Sequence, residues 1–281
     1  MVAANPADAI AFGLNHMAAP KLSPAGFFGL ARSLGIEAVE IRNDLAGNAI
    51  LDGTAPEAIR DLAAERGVRI VSINALQRFN AWTEERAAEA IALADYAAAC
   101  GAEALVLVPK NDGTGTGAEE RLPNLMAALR ALKPILAERG LTGLVEPLGF
   151  AVSSLRLKSE AVEAIASLDA GEVFELVHDT FHHHLAGEAA IFPEMTGLVH
   201  ISGVSDPTVA VSRLRDDHRI LVGADDRLGN LQQIDRLLAG GYRGVFSFEP
   251  FAAEVHALAD PAAALSRSMA FIAAGLREEA A

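Results

Sequence analysis

A single cysteine, Cys100, leaves this sequence without an internal disulfide and without a partner for a two-cysteine redox motif. A reducing cytoplasm suits it. Basic charge is scarce as well: 23 lysines and arginines face 37 acids, giving a formal net charge of −14, and only Lys21, Lys110, Lys133 and Lys158 are lysines. Such a surface repels a phosphate backbone, so nucleic acid is not an expected partner. No apolar run approaches the roughly 20 residues of a membrane span, and Met1-Val2-Ala3-Ala4-Asn5-Pro6 lacks the basic start and apolar core of a signal peptide. The chain reads as soluble and cytoplasmic. The usual nucleotide loops are missing too: no Gly-x-Gly-x-x-Gly follows the first strand, and no Gly-x-x-x-x-Gly-Lys-Ser/Thr occurs anywhere.

Apolar residues, by contrast, make up 51% of the 281 positions, and no linker divides them. One domain over residues 1–281 is expected, with its alternating strands and helices from about 10 to 277. Short apolar runs alternate with helical stretches from the first strand, Ala11 to His16, onward. Ser23-Pro24 caps a helix reaching Leu34, and Ala38 to Arg42 is the second strand. Thr54-Ala55-Pro56-Glu57 opens a helix that Gly67 ends, Val68 to Asn74 is the third strand, and Thr83-Glu84-Glu85 opens a helix ending at Cys100-Gly101. Ala104 to Lys110 is near-continuous in aliphatic residues, as a parallel strand buried on both faces should be. A helix from Glu119 to Arg139 follows, and the alternation repeats four more times. Later helices begin near Ser159, Leu231 and Asp260, and a short one is expected around Gly187 to Met195. Eight strands alternating with eight helical segments predict an α/β fold, a closed (β/α)8 TIM barrel, with an open doubly wound sheet as the alternative.

In a barrel, chemistry collects at the C-terminal ends of the strands. The last four strand candidates end in Glu146, Asp179, His200 and Glu249, which are ligand types for a divalent cation. Period-two alternation in the eighth strand sets Val245, Ser247 and Glu249 on one face and Phe246 and Phe248 on the other, so Glu249 points inward. Leu144 with Glu146, and Val177 with Asp179, follow the same rule. Any one of these acids could instead cap a helix or pair with an arginine. Three carboxylates in one low-dielectric mouth would take up protons unless a cation were present, which favours a shared ion. Of His182, His183 and His184 only one can face the mouth; His182 is expected to, with the other two on the helix surface. His178 alternates away from Asp179 and is expected to pack or to support the site. Asn15, Arg42, Asn74 and Lys110, at the ends of earlier strands, are candidate substrate contacts. Trp82 either covers the mouth or packs in the core or an interface.

The segments Glu146-Pro147-Leu148-Gly149, Val177 to His182, His200-Ile201 and Phe248-Glu249 resemble the metal-binding motifs of the xylose isomerase-like TIM barrel superfamily of isomerases, epimerases, dehydratases and endonucleases. Within it, Val39-Glu40-Ile41-Arg42, Ser72 to Leu76 with Phe79-Asn80, Val108-Pro109 and Asp179-Thr180-Phe181-His182 are similar to the inosose isomerase group of inositol catabolism. The resemblance spans the chain from the first strand to the eighth. It implies one divalent ion on Glu146, Asp179, His200 and Glu249, with His182 and Arg219 lining the substrate site. Two departures fall near the expected substrate: Ser202-Gly203 replaces a polar pair containing aspartate, and Gly223-Ala224-Asp225-Asp226 replaces a Gly-x-Gly turn.

The implied activity is isomerisation or epimerisation of a small keto-polyol or sugar through an enediolate, with Glu146 and Glu249 moving the proton and His182 holding an oxygen. Mn²⁺ or Zn²⁺ is favoured, and Co²⁺ or Mg²⁺ also fits the oxygen and nitrogen donors. A dehydratase of a cyclic keto-acid such as 3-dehydroshikimate would use related chemistry. A non-catalytic, metal-containing sugar-binding protein is the alternative of another class, and a homo-oligomer is compatible with each reading.

Overall fold

The computed structural model describes residues 10–45, 47 and 53–279; Met1 to Pro6 lie outside the described residues. Eight strands run in sequence order: β1 (Ala11–Asn15), β2 (Ala38–Arg42), β3 (Arg69–Gln77), β4 (Ala104–Val108), β5 (Thr142–Val145), β6 (Phe174–Asp179), β7 (Thr196–Ile201) and β8 (Val245–Phe248). Each pairs in parallel with the next and β8 pairs with β1, so the sheet closes on itself. The fold is a single TIM barrel domain, and the open-sheet alternative is excluded.

Helices α1 (Pro24–Ser33), α2 (Pro56–Arg66), α3 (Glu84–Cys100), α4 (Ala118–Ala137), α5 (Lys158–Ser167), α6 (Thr180–Ala186), α7 (Asn230–Ala239), the four-residue α8 (Ala253–His256) and α9 (Pro261–Glu279) complete the chain. Local chemistry sets their ends. Ser23 Oγ accepts from the Gly26 amide and Thr83 Oγ1 from the Arg86 amide, satisfying donors that have no partner inside the helix. Gly67 and Gly101 stop α2 and α3 in the left-handed region, at φ 63° and 76°, where a Cβ would be strained. Pro109 has no amide hydrogen to continue the ladder, and β4 ends before it.

Side chains alternate across the barrel wall as period two requires. Val245, Leu198, Val177, Leu144 and Val106 fill the interior as one small cluster, whereas Phe246 and Phe248 pack outward into the larger core beneath the helices. Among the described residues no helix is long and apolar enough to cross a membrane.

One expected helix is misplaced. Between β6 and β7 the helix spans Thr180–Ala186 rather than Gly187 to Met195, where there is only a 3-10 turn at Pro193–Met195. Asp179 is both the last residue of β6 and the N-cap of α6, since its Oδ1 accepts from the His182 amide at 2.9 Å. Gly187, at φ 66°, ends the helix at once.

Candidate metal and active site

The ends of β5 to β8 converge. One donor atom each from Glu146, Asp179, His200 and Glu249 lies within 4.8 Å of the others, and all four side chains are buried. His200 Nδ1 is 2.9 Å from Glu146 Oε1, 3.3 Å from Glu249 Oε2 and 3.8 Å from Asp179 Oδ2. Donors sharing one divalent ion, with bonds near 2.0–2.2 Å, sit about 3 to 4.5 Å apart, so the set fits such an ion.

Electrostatics point the same way. Glu40, Glu146, Asp179 and Glu249 bring four carboxylates into a buried space whose guanidiniums are those of Arg42 and Arg219. That leaves two negative charges in excess when all four acids are ionised, which a dication beside a neutral imidazole would balance. In the protein alone, burial disfavours the His200 imidazolium. Glu249, Glu40 and Glu146 outweigh burial and hold this histidine well above its ordinary value. Burial also pushes Glu249 up to about 7, with His200 and Arg219 opposing it. Asp179 goes the other way: burial would raise it, but Arg219 and His182 bring it down to about 2.

The cap and arginine contacts expected as the alternative are present at Asp179 and Glu249. Arg219 Nη2 donates to Asp179 Oδ2 at 2.6 Å and to Glu249 Oε2 at 2.9 Å, and Arg42 Nη1 donates to Glu249 Oε1 at 2.8 Å. Arg219 is pinned between the Phe181 and Phe251 rings, 5.2 and 4.7 Å from their centroids. Its backbone is fixed by a two-bond antiparallel bridge between Gly203 and Ile220 and by the Phe251 and Ala252 amides, which donate to its carbonyl. Ser202, one of the sequence departures, accepts from Arg219 Nε at 3.0 Å.

Above the centre opens a cavity of about 430 Å³ whose lining includes Arg42, Asn74, Glu146, His182, Arg219 and Glu249. Leu148, Phe150 and Phe251 give it an apolar wall. His182 is held edge-on by Phe150 and Phe181, and its Nδ1 has no partner within the protein. Gly149 makes this wall possible: a Cβ there would come within 2.7 Å of Leu185 Cβ and 2.8 Å of the Ala186 nitrogen, driving the loop off α6.

Other expected contacts stand elsewhere. Asn15 lies beneath the cavity, donating to Glu249 Oε1 at 3.3 Å and accepting from Arg42, so it reaches the site through those side chains. Lys110 is not on the cavity wall; its ammonium stands 3.9 Å from Asp112. Trp82 is also absent from the lining and packs against the main core. His178 bonds Gln233 of α7 at 2.9 Å, a packing role. His183 is not a surface residue: it is buried, with Nδ1 2.6 Å from Lys158 Nζ and its ring against His178, while His184 is half-buried.

Glu40 was not among the expected site residues. It is fully buried and accepts from Ser72, Asn74 and Ser247, and it also faces His200 Nε2. The signal was present, because an acid alternating with Ala38 and Arg42 in an apolar strand must point into the barrel.

Fold and site together define a (β/α)8 barrel with a carboxylate-imidazole centre at its catalytic face. The chain belongs to the xylose isomerase-like TIM barrel family, whose model matches residues 28–274. A xylose isomerase domain-containing protein from Salmonella typhimurium LT2 is 37% identical, with TM-score 0.87 over 94% of this chain and 97% of that one. The IolI protein, whose structure holds a zinc atom, is 19% identical with TM-score 0.80, covering 96% and 99% of the two chains. A 3-keto-D-glucoside 4-epimerase from E. coli is 18% identical with TM-score 0.69, covering 94% and 98%. No curated protein sequence matches the chain.

Proposed function

We propose that this protein is a divalent-metal-dependent isomerase or epimerase of a keto-polyol or keto-sugar, of the inosose type, moving a proton beside the carbonyl through an enediolate. The observation that carries the reading is the pair of buried glutamates, Glu146 after β5 and Glu249 after β8, lining one cavity from strands that are not neighbours. A divalent cation on Glu146, Asp179, His200 and Glu249 would supply Lewis acidity to a carbonyl and its adjacent hydroxyl.

The side chains account for the remaining steps. One glutamate takes the carbon-bound proton, and the other delivers a proton to the opposite face of the planar enediolate. Glu249 cannot drift, because Arg42 and Arg219 grip it. His182, on the cavity wall, hydrogen-bonds a substrate oxygen as the proton moves. Arg219 orients a second oxygen. Leu148, Phe150 and Phe251 meet the C–H face of the sugar and keep water from the enediolate. The zinc of the IolI structure and the epimerase descriptions of other neighbours support this reading.

Incubation with 2-keto-myo-inositol and Mn²⁺ in D₂O tests it. The expected outcome is deuterium on the carbon next to the carbonyl and a second keto-inositol as product. A dehydratase would instead lose water and give a conjugated, ultraviolet-absorbing product, and a sugar-binding protein would give neither. No exchange with this or any screened keto-sugar, with the metal bound, would end the isomerase reading.

A further inference from the structure

Glu40 is a fully buried acid on β2 with no part in the steps above, yet it occupies the centre of a dense hydrogen-bond network. Its Oε2 accepts from Ser72 Oγ at 2.6 Å and from Asn74 Nδ2 at 2.7 Å, and its Oε1 accepts from Ser247 Oγ. These donors come from β3 and β8, so three strands fix the plane of one carboxylate inside the barrel. The remaining neighbour of Oε2 is His200 Nε2, at 3.1 Å. The opposite nitrogen of that ring, Nδ1, faces Glu146, Asp179 and Glu249.

Resting on the metal-centre reading, we propose that Glu40 is a positioning residue that holds the Nε2–H of His200 and thereby aims the Nδ1 lone pair at the cation. A neutral imidazole carries one N–H, and the nitrogen without it is the metal donor. An ionised carboxylate only accepts, so the proton of His200 must sit on Nε2 for the pair to bond. That leaves Nδ1 as the donor. A flip of the ring would turn a carbon toward Glu40, and the other tautomer would turn a lone pair toward it; either loses the bond. Glu40 itself is not a ligand, since it meets the edge of the ring remote from the three ligand carboxylates. The hydroxyls of Ser72 and Ser247 and the amide of Asn74 thus act on the ion at one remove, through Glu40 and then His200.

The test is a double-mutant cycle on Zn²⁺ and Mn²⁺ affinity, read by competition with a chelating dye, so that turnover is not needed. Glu40→Gln keeps the shape of the side chain and should weaken binding about 10- to 100-fold, as loss of an outer partner of a ligating histidine does. In a His200→Ala background the same change should cost less than about twofold, because no ring remains to be aimed. Ser72→Ala touches no ligand and should give a several-fold loss in the same direction, which also protects the test if Glu40→Gln folds poorly. Long-range proton–nitrogen spectra of the Zn²⁺-loaded wild type should place the metal on Nδ1 of one histidine and the proton on Nε2.

Wild-type binding that is unchanged in both Glu40→Gln and Ser72→Ala overturns the proposal. So do additive losses in the cycle, or metal found on Nε2. A wild type that binds no metal removes the function reading along with it, so the two failures are told apart by the first titration.

Discussion

Replacing Glu146 or Glu249 by glutamine keeps a donor oxygen near the ion site and removes an acceptor for a carbon-bound proton. Each variant should lose about 10²- to 10⁴-fold in deuterium exchange at matched metal occupancy, the usual worth of a positioned acid or base. Metal content measured beside the rate separates this from simple loss of the ion, and near wild-type exchange in either variant would remove that glutamate from proton transfer. Both residues, with Asp179 and His200, are legible in the sequence because strand alternation and strand ends are local properties. Their partners are not. Nothing local says that Arg219, some 40 residues beyond Asp179, will donate to it at 2.6 Å, or that Asn15 will reach Glu249. Lys110 stands at a strand end like the others, yet the turn after Pro109 carries its ammonium to Asp112 instead of the cavity.

At the scale of the element, α6 carries the misreading. Histidine is a modest helix former, and the short helix is expected only from Gly187 onward. Packing overrides propensity here: His182 lines the cavity, Phe181 is buried with Leu148 and Phe150, and His183 is drawn inward by Lys158 at the start of α5. That contact gives a pH prediction. Burial lowers Lys158 from its ordinary 10.5 to about 8 in the folded protein, with Glu188 and Asp179 opposing the fall. Between those two values the unfolded chain binds more protons than the folded one, so this group makes stability rise with pH. The penalty is fully present below about pH 8 and is relieved as pH climbs toward 10.5. Its full size is on the order of 3 kcal/mol. Urea unfolding of the wild type and of Lys158→Met between pH 7.5 and 10 should give a stability difference that shifts toward the wild type as pH rises. Contributions from Tyr242 and Cys100, which burial raises, are common to both proteins and cancel. A difference independent of pH would show that the lysine keeps its ordinary value.

At the scale of the molecule, the four ligand candidates sit on four different strands and meet only when the barrel has closed. A divalent ion should therefore bind the folded state and stabilise it. Free metal at 100 times its dissociation constant contributes about 2.7 kcal/mol, and for a chain of this size that raises Tm by roughly 5 °C. Thermal unfolding with and without Mn²⁺ or Zn²⁺ checks it. The rise should vanish with a chelator and in His200→Ala, and a wild-type Tm indifferent to both ions would refute the metal centre.

The sequence by itself determined the alternation of strand and helix, the barrel it predicts, and the inward side of each strand, because apolar period and cap chemistry act over a few residues. It also placed the ligand types at the strand ends. Only closure of the sheet decided which groups meet: β2, β3, β7 and β8 bring Glu40, Ser72, His200 and Ser247 together from positions up to 207 residues apart. Closure also decided that His183 is buried and that Lys110 and Trp82 leave the cavity to others. Those outcomes depend on the shape of the closed barrel and on the helix layer around it, which no window of neighbouring residues contains.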